Sequence, residues 1–187
     1  MTIARTIWAC GHGFVLGTFL ILGSTLSKAQ STDSAEINDL LSQAKSHAIL
    51  ASDDADALES FTNSQLGWRT HASKLESMKT HVNELGQVSK KLGDLKSDGS
   101  PWQQEAIDRI DPLLQSMGRH LTATINHLND NKGQIHMQAY RDYTKANYEL
   151  ADKTAKMISD FVEYGKAKTK AEAFEQKLEL PASGAGR

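Results

Sequence analysis

Apolar and small side chains recur at helical spacing from residue 35 onwards. The first series advances by alternating steps of four and three residues, as the seam of a coiled coil does. Its members are Ile37, Leu41, Ala44, Ala48, Ala51, Ala55 and Leu58. A second series with the same repeat runs from Trp68 to Leu92. The two series predict a first helix over about 35–62 and a second over about 65–97.

The two seams are out of register with each other. The phase of the second seam runs back to Phe61, which is three residues after Leu58 where the first seam requires four. A turn in which Asn63 or Ser64 caps the second helix would produce this slip. Local overwinding of one continuous helix would produce it as well. The turn is the favoured interpretation.

A third helix is predicted over about 101–129. Ser100 is placed to act as its N-cap, and Gln103 completes a capping box three residues later. Pro112 lies inside the predicted helix and cannot donate a hydrogen bond to the carbonyl four residues before it. We therefore expect a kink or a restart at Asp111.

The fourth predicted helix is the longest. The segment "NDNKG" at 129–133 indicates a turn, helical spacing then continues over about 134–179, and the end at 181–187 is predicted to be a flexible tail. Long helices with short connections predict an all-α domain over 30–180, an antiparallel up-down four-helix bundle. Because the fourth helix exceeds its partners, its last turns should overhang, fold back at Gly165 or bind something.

The N-terminal segment is predicted to be a secretory signal peptide. Residues 1–29 carry a positive charge near the start and a mainly apolar stretch over 14–26, and Ser27 and Ala29 place small residues at the positions expected before a cleavage site. We therefore expect an exported protein, periplasmic or extracellular. An uncleaved membrane anchor is the alternative, since the stretch 7–26 matches the ~20 residues that a helix needs to span a bilayer.

Composition excludes several kinds of site. The 187-residue chain has a net charge of −2 and one cysteine, Cys10, which lies in the predicted leader. Once the leader is removed the chain has no cysteine, so it can form no disulfide, thiolate zinc site or c-type haem attachment. The acidic balance argues against nucleic acid as a partner. No metal-binding, phosphate-binding or catalytic motif is found, so we expect no enzyme, metal or cofactor.

Aromatic residues and a histidine expected to be partly buried are the candidates for contact with a partner. They are Trp68, His71, Trp102, Tyr140, Tyr143 and Tyr164. Trp102 stands at the second position of the third helix, where its ring could fold over the open end of the core. The acidic group Asp53, Asp54 and Asp56 is predicted to be a solvated face, or a cap and dipole partner for a helix that restarts after Ser52.

Three segments together resemble an exported bacterial family of helical proteins that has no assigned activity. They are "SPWQQEAIDRIDPLL", "HLND" and "ISDFVEYGKAKTKAE". The resemblance would cover residues 35–180. It implies export and helices, and no functional residue can be transferred from it.

The functional hypothesis is a non-enzymatic, exported helical bundle that acts by self-association or by contact with an envelope protein. The alanine-rich seam of the first helix and the overhang of the fourth could each accept another helix. The alternative is a periplasmic bundle that binds a metal, haem or small ligand between its helices. Contact with a membrane is expected only if the leader is kept.

Overall fold

The computed structural model describes residues 32–179, and these fold into four long α-helices with no strand. The helices are α1 (Ala35–Phe61), α2 (Trp68–Asp94), α3 (Pro101–Asp130) and α4 (Gln138–Lys177), with a short 3₁₀ turn at Lys96–Asp98. The predicted all-α, four-helix class is confirmed. The predicted signal peptide at 1–29 and the predicted tail at 181–187 lie outside the described residues.

The helices form a closed bundle around one core. Each helix packs against the next one in the chain, and α4 packs back against α1. Diagonally placed helices have almost no contact within 32–179. The core is therefore built from one inward face of each helix, and α1 contributes equally to its interfaces with α2 and α4.

The alanine-rich seam of α1 is used inside the bundle. Ala44, Ala48, Ala51 and Ala55 are all buried in the core. Small side chains let neighbouring helices approach closely, which explains how α1 packs against α2 and α4 at once. This seam is therefore not available to another helix, contrary to the expectation from sequence.

The slip between the first two seams corresponds to a turn. Helix α1 ends at Phe61 and α2 begins at Trp68, with Gly67 as an N-cap that makes no side-chain hydrogen bond. The prediction that Asn63 or Ser64 caps α2 is wrong, because the Ser64 hydroxyl donates instead to the Phe61 carbonyl at 2.7 Å. That hydroxyl closes the end of α1 and does not reach α2.

Helix α3 continues through Pro112 without interruption. The restart predicted at Asp111 does not occur. Pro112 and Asp108 both lie on the exposed side of the helix, so water can reach the Asp108 carbonyl that loses its usual donor.

Helix α4 begins four residues later than predicted, at Gln138 instead of Gln134. The preceding residues form successive turns held by backbone hydrogen bonds. The Gln134 backbone N–H donates to the Asn131 backbone carbonyl, and the Met137 backbone N–H donates to the Gln134 backbone carbonyl. Ile135 is buried within this connection. Its burial holds the connection against the core in a non-helical conformation.

A buried glutamine joins the start of α3 to the start of α1. The Gln103 Oε1 accepts hydrogen bonds from the Ser34 and Ser100 backbone amides at 2.9 and 3.0 Å. Its Nε2 donates to the Ser34 carbonyl at 2.8 Å and to Asn38 Oδ1 at 2.9 Å. Both acceptor and both donor positions of the amide are thus filled, as a polar group removed from water requires.

Replacing this glutamine should be costly. The Gln103→Leu substitution would leave the buried Ser100 backbone amide and the partly buried Ser34 backbone amide without an acceptor. We expect it to lower the free energy of unfolding by on the order of 3 kcal/mol. Urea unfolding followed by helical circular dichroism measures the change. Gln115→Leu is the matched control, because the Gln115 side chain is exposed and hydrogen-bonds only Asp111. Equal losses in the two variants would contradict the proposed importance of the buried amide.

Candidate functional site

The six residues predicted to contact a partner form two groups at opposite ends of α2. Trp68, His71, Tyr140 and Tyr143 lie near its start, and Trp102 and Tyr164 lie beyond its end. The 27 residues of α2 separate the groups by ~40 Å at 1.5 Å per residue. The structure thus creates two separate aromatic regions.

At the first end, two of the predicted contact residues are core residues. His71 and Tyr140 have no exposed surface, and His71 Nδ1 lies 3.2 Å from the Tyr140 hydroxyl oxygen. The ring of His127 stacks on Tyr140 with its centroid 6.0 Å away. Neither His71 nor Tyr140 can reach a partner while this end of the bundle stays closed.

Burial also controls the ionisation of this pair. Loss of solvation lowers the pKa of His71, and the neighbouring charge of His136 lowers it further. Burial raises the pKa of Tyr140. Both side chains are therefore held neutral, since a charge in this apolar environment would lack compensation.

Trp68 and Tyr143 flank the buried pair and are half-buried. The Trp68 ring has two cationic neighbours, with the Arg69 guanidinium carbon and the Lys132 Nζ each 4.8 Å from its centroid. Such cation–π contacts favour a ring held in place over one available for stacking by a partner. Tyr143 packs against His127, with ring centroids 4.9 Å apart.

At the second end, Trp102 packs where α4 leaves the bundle. Its Nε1 donates to Asp33 Oδ1 at 2.8 Å, and its ring meets the Tyr164 ring edge-to-face at a centroid distance of 5.3 Å. Gly165 provides the space for the ring, since a Cβ atom there would lie 2.8 Å from Trp102 Cη2. The ring therefore closes this end of the core against α4.

Asp33 connects this region to α4. Its Oδ2 lies 3.1 Å from Lys168 Nζ. Burial alone would raise the pKa of Asp33, but its hydrogen bond from Trp102 Nε1 and the nearby Lys168 ammonium outweigh burial and lower it. Sequence reasoning missed Asp33 because it precedes the first helix and belongs to neither apolar seam.

Beyond this contact α4 extends past the bundle. The helix runs without a break through Gly165 to Lys177, so it does not fold back. No residue over 166–179 is buried. Phe174 is 51% exposed and Leu178 is 60% exposed. We call residues 166–179 the α4 extension.

An open groove of about 360 Å³ lies between the α4 extension and α1. Apolar side chains form part of its wall, and polar and cationic groups complete the lining. Among the lining residues are Leu41, Ser42, Trp102, Lys166, Lys170 and Ala173.

The acidic group on α1 is not a uniformly solvated face. Asp53 and Asp56 are exposed as predicted, but Asp54 is buried against α2. Its carboxylate accepts from Ser77 Oγ at 2.6 Å and from Lys74 Nζ at 2.9 Å. Asp54 is therefore a structural residue of the interface between α1 and α2.

Comparison of the chain with protein-family models, with curated proteins and with solved structures found no match. The resemblance to exported bacterial helical proteins stays a prediction.

Two kinds of structural feature are absent from residues 32–179. None of the helices in that range has the length and apolar composition needed to span a membrane. No group of three or more histidine, cysteine, aspartate or glutamate side chains in the same range could hold a metal ion.

The contact between Gly165 and Trp102 gives a direct test of packing at the second end. Because hydrogen bonding to Asp33 and contact with Tyr164 restrain the Trp102 ring, Gly165→Ala should lower the free energy of unfolding by about 1 to 3 kcal/mol. Gly86→Ala in α2 is the control, since a Cβ there meets nothing within 4 Å. That substitution should stabilise the helix by about 1 kcal/mol. Stabilisation by both substitutions in urea unfolding would refute the tight contact.

The buried His71 predicts a loss of stability in acid. Its pKa is lower in the folded than in the unfolded chain, so the unfolded state takes up a proton first as the pH falls below about 6.5. We expect the free energy of unfolding to decrease from about pH 7.5 to about pH 5, and His71→Gln to reduce this dependence.

The substitution of exposed His120 by Gln controls for the loss of a histidine elsewhere. Denaturant titrations at a series of pH values measure the slope for each variant. The assignment fails if the slope of His71→Gln equals that of the unaltered chain.

Proposed function

We propose that this is an exported, non-enzymatic helical-bundle protein that acts through protein–protein contact made by its α4 extension. The observation that carries the proposal is the exposure of Phe174 on a helix that continues past its own bundle, and of Leu178 at the C-cap of that helix. Exposed large apolar side chains grouped on one protruding element are typical of an interaction surface.

The burial of the other candidate contact surfaces supports this choice of contact element. The seam of α1 is buried, and His71 and Tyr140 are enclosed at the first end. By contrast, residues 166–179 contribute no buried side chain to the core. A helical stretch that adds nothing to its own core gains stability if a partner covers it.

An antiparallel up-down arrangement is part of the proposal, and contacts at both ends of the bundle support it. Phe61 at the end of α1 meets His71 near the start of α2, with ring centroids 5.7 Å apart. Asp33, just before α1, pairs with Lys168 late in α4. Contacts between the end of one helix and the beginning of another are expected when neighbours run in opposite directions.

Export is proposed from the leader at 1–29. Its charged start, apolar middle and small residues before position 30 have the order of a secretory signal. The periplasm or the extracellular space is the proposed location, and a second copy of the chain or an envelope protein is the proposed partner.

The proposal can be tested in living bacteria with the full-length chain. A photoreactive amino acid at position 174 should form adducts, while the same amino acid at Lys153, exposed on α4 within the bundle, should form few. Intact mass and osmotic-shock fractionation of the product report cleavage before position 30 and export. Equal labelling from the two positions, or a product retained in the cytoplasm, would refute the proposal.

A second candidate function is supported by the groove beside Trp102. Its volume of about 360 Å³ falls within the range of small-molecule pockets. An apolar wall with Lys166 and Lys170 at its edge suits a small amphipathic anion. Native mass spectrometry should then detect a bound molecule that is lost in Ala173→Trp, a substitution that fills the groove. An unliganded native mass for the unaltered chain would reject this candidate.

A further inference from the structure

A heptad seam begins at Tyr164, just before the α4 extension, and continues along the exposed face of that extension. The members of the seam are Tyr164, Ala167, Ala171, Phe174 and Leu178. They are separated by alternating steps of three and four residues, and every one of them is exposed. The same repeat produces the buried seams of α1 and α2, where another helix covers it. On α4 no helix within 32–179 covers this seam.

The seam points away from the bundle core. The nearest core positions of α4 are Ile158, Val162 and Gly165. At 100° per residue these positions lie on the side of the helix opposite the line from Ala167 to Phe174. A second helix could therefore lie along Ala167, Ala171 and Phe174 without displacing any core contact of α4, whereas Tyr164 also contacts Trp102.

Charged residues flank the seam in a defined order. With Tyr164, Ala171 and Leu178 at position a, the heptad places Ala167 and Phe174 at position d. Glu163 and Lys170 then occupy successive g positions, and Lys168 and Glu175 occupy successive e positions.

This order favours a parallel partner with the same sequence. In a parallel pair, a g residue of one helix faces the e residue five positions later on the other helix. Glu163 would thus face Lys168 of the second copy, and Lys170 would face Glu175 of the second copy, so both kinds of contact are attractive. In an antiparallel pair g faces g and e faces e, so Lys170 would instead face Lys177, which is repulsive, and only the contact of Lys168 with Glu175 would be attractive.

We infer that two copies of the chain associate through parallel pairing of their α4 extensions. This pairing specifies the partner in the function proposed above and depends on that proposal. The seam spans only about two heptads, which is short for an isolated coiled coil. Here the helix is already formed as a continuation of α4, so pairing does not bear the cost of nucleating it.

The charges determine the relative orientation of the two paired helices more than the strength of their association. Glu163 already lies 2.8 Å from Lys45 and 3.1 Å from Lys166 within its own chain. Lys168 is likewise shared between Asp33 and Glu172. Because exposed ion pairs contribute little individually, the apolar layers supply most of the attraction and a weak, reversible dimer is expected.

Cysteine cross-linking of the full-length chain tests the inference. In a Cys10→Ser background, Ala171→Cys places one thiol at the centre of the seam, where two copies of the same residue meet in a parallel pair. Mild oxidation should convert most of this variant to a disulfide-linked dimer. The control Ala173→Cys, which lies in the groove on the other side of the helix, should remain monomeric.

A charge exchange tests the orientation independently. Lys170→Glu should weaken dimerisation roughly tenfold in sedimentation equilibrium, because it places like charges together in both symmetry-related contacts. Adding Glu175→Lys should restore it. Failure of the double variant to recover, or a disulfide that forms only when Ala171→Cys is mixed with Phe174→Cys, would overturn the parallel arrangement.

The same experiments separate this inference from the proposed function. Adducts to a different protein from position 174, with no dimer from Ala171→Cys, would reject self-pairing and leave the contact function standing. Absence of any adduct and of any dimer would reject both.

Discussion

The contact between Gly165 and the ring of Trp102 determines where α4 leaves the bundle core and where its exposed extension begins. Up to Gly165, α4 is held by the core, and after it the helix continues alone. A side chain at position 165 would displace the ring, because its Cβ atom would lie 2.8 Å from Cη2 of the Trp102 indole. Hydrogen bonding to Asp33 fixes the ring, so the point at which α4 leaves the bundle is defined by packing and by a partly buried carboxylate together.

The two ends of the bundle satisfy their polar groups differently. At the end containing Gln103, the buried amide makes four hydrogen bonds. At the other end, His71 Nε2 and His127 Nε2 are buried with no hydrogen-bond partner among residues 32–179. An unpaired buried polar atom carries a desolvation cost. This cost is not confined to the histidine end, since Ser100 Oγ beside Gln103 is also buried without a hydrogen-bond partner in that range. The α4 extension projects from the end containing Gln103.

The existence of four helices could be predicted from sequence because apolar periodicity reflects the core faces directly. The starts of α2 and α4 could not, since Gly67 and Met137 cap them without a side-chain hydrogen bond. The burial of Asp54 could not be predicted either, because its partners Lys74 and Ser77 are 20 and 23 residues away in the sequence, on the next helix. Tertiary contact alone distinguishes Asp54 from its exposed neighbours.

The candidate contact residues were predicted only in part, for a related reason. Choosing candidates by their aromatic rings identified Trp102 and Tyr164, which do lie where α4 leaves the bundle. The same criterion equally identified His71 and Tyr140, which are enclosed in the core. Ring size indicates the capacity to bury surface and does not reveal whether the chain itself supplies the cover. The length of α4 was the more informative signal, because a helix of 40 residues beside helices of 27 to 30 must present part of its surface elsewhere.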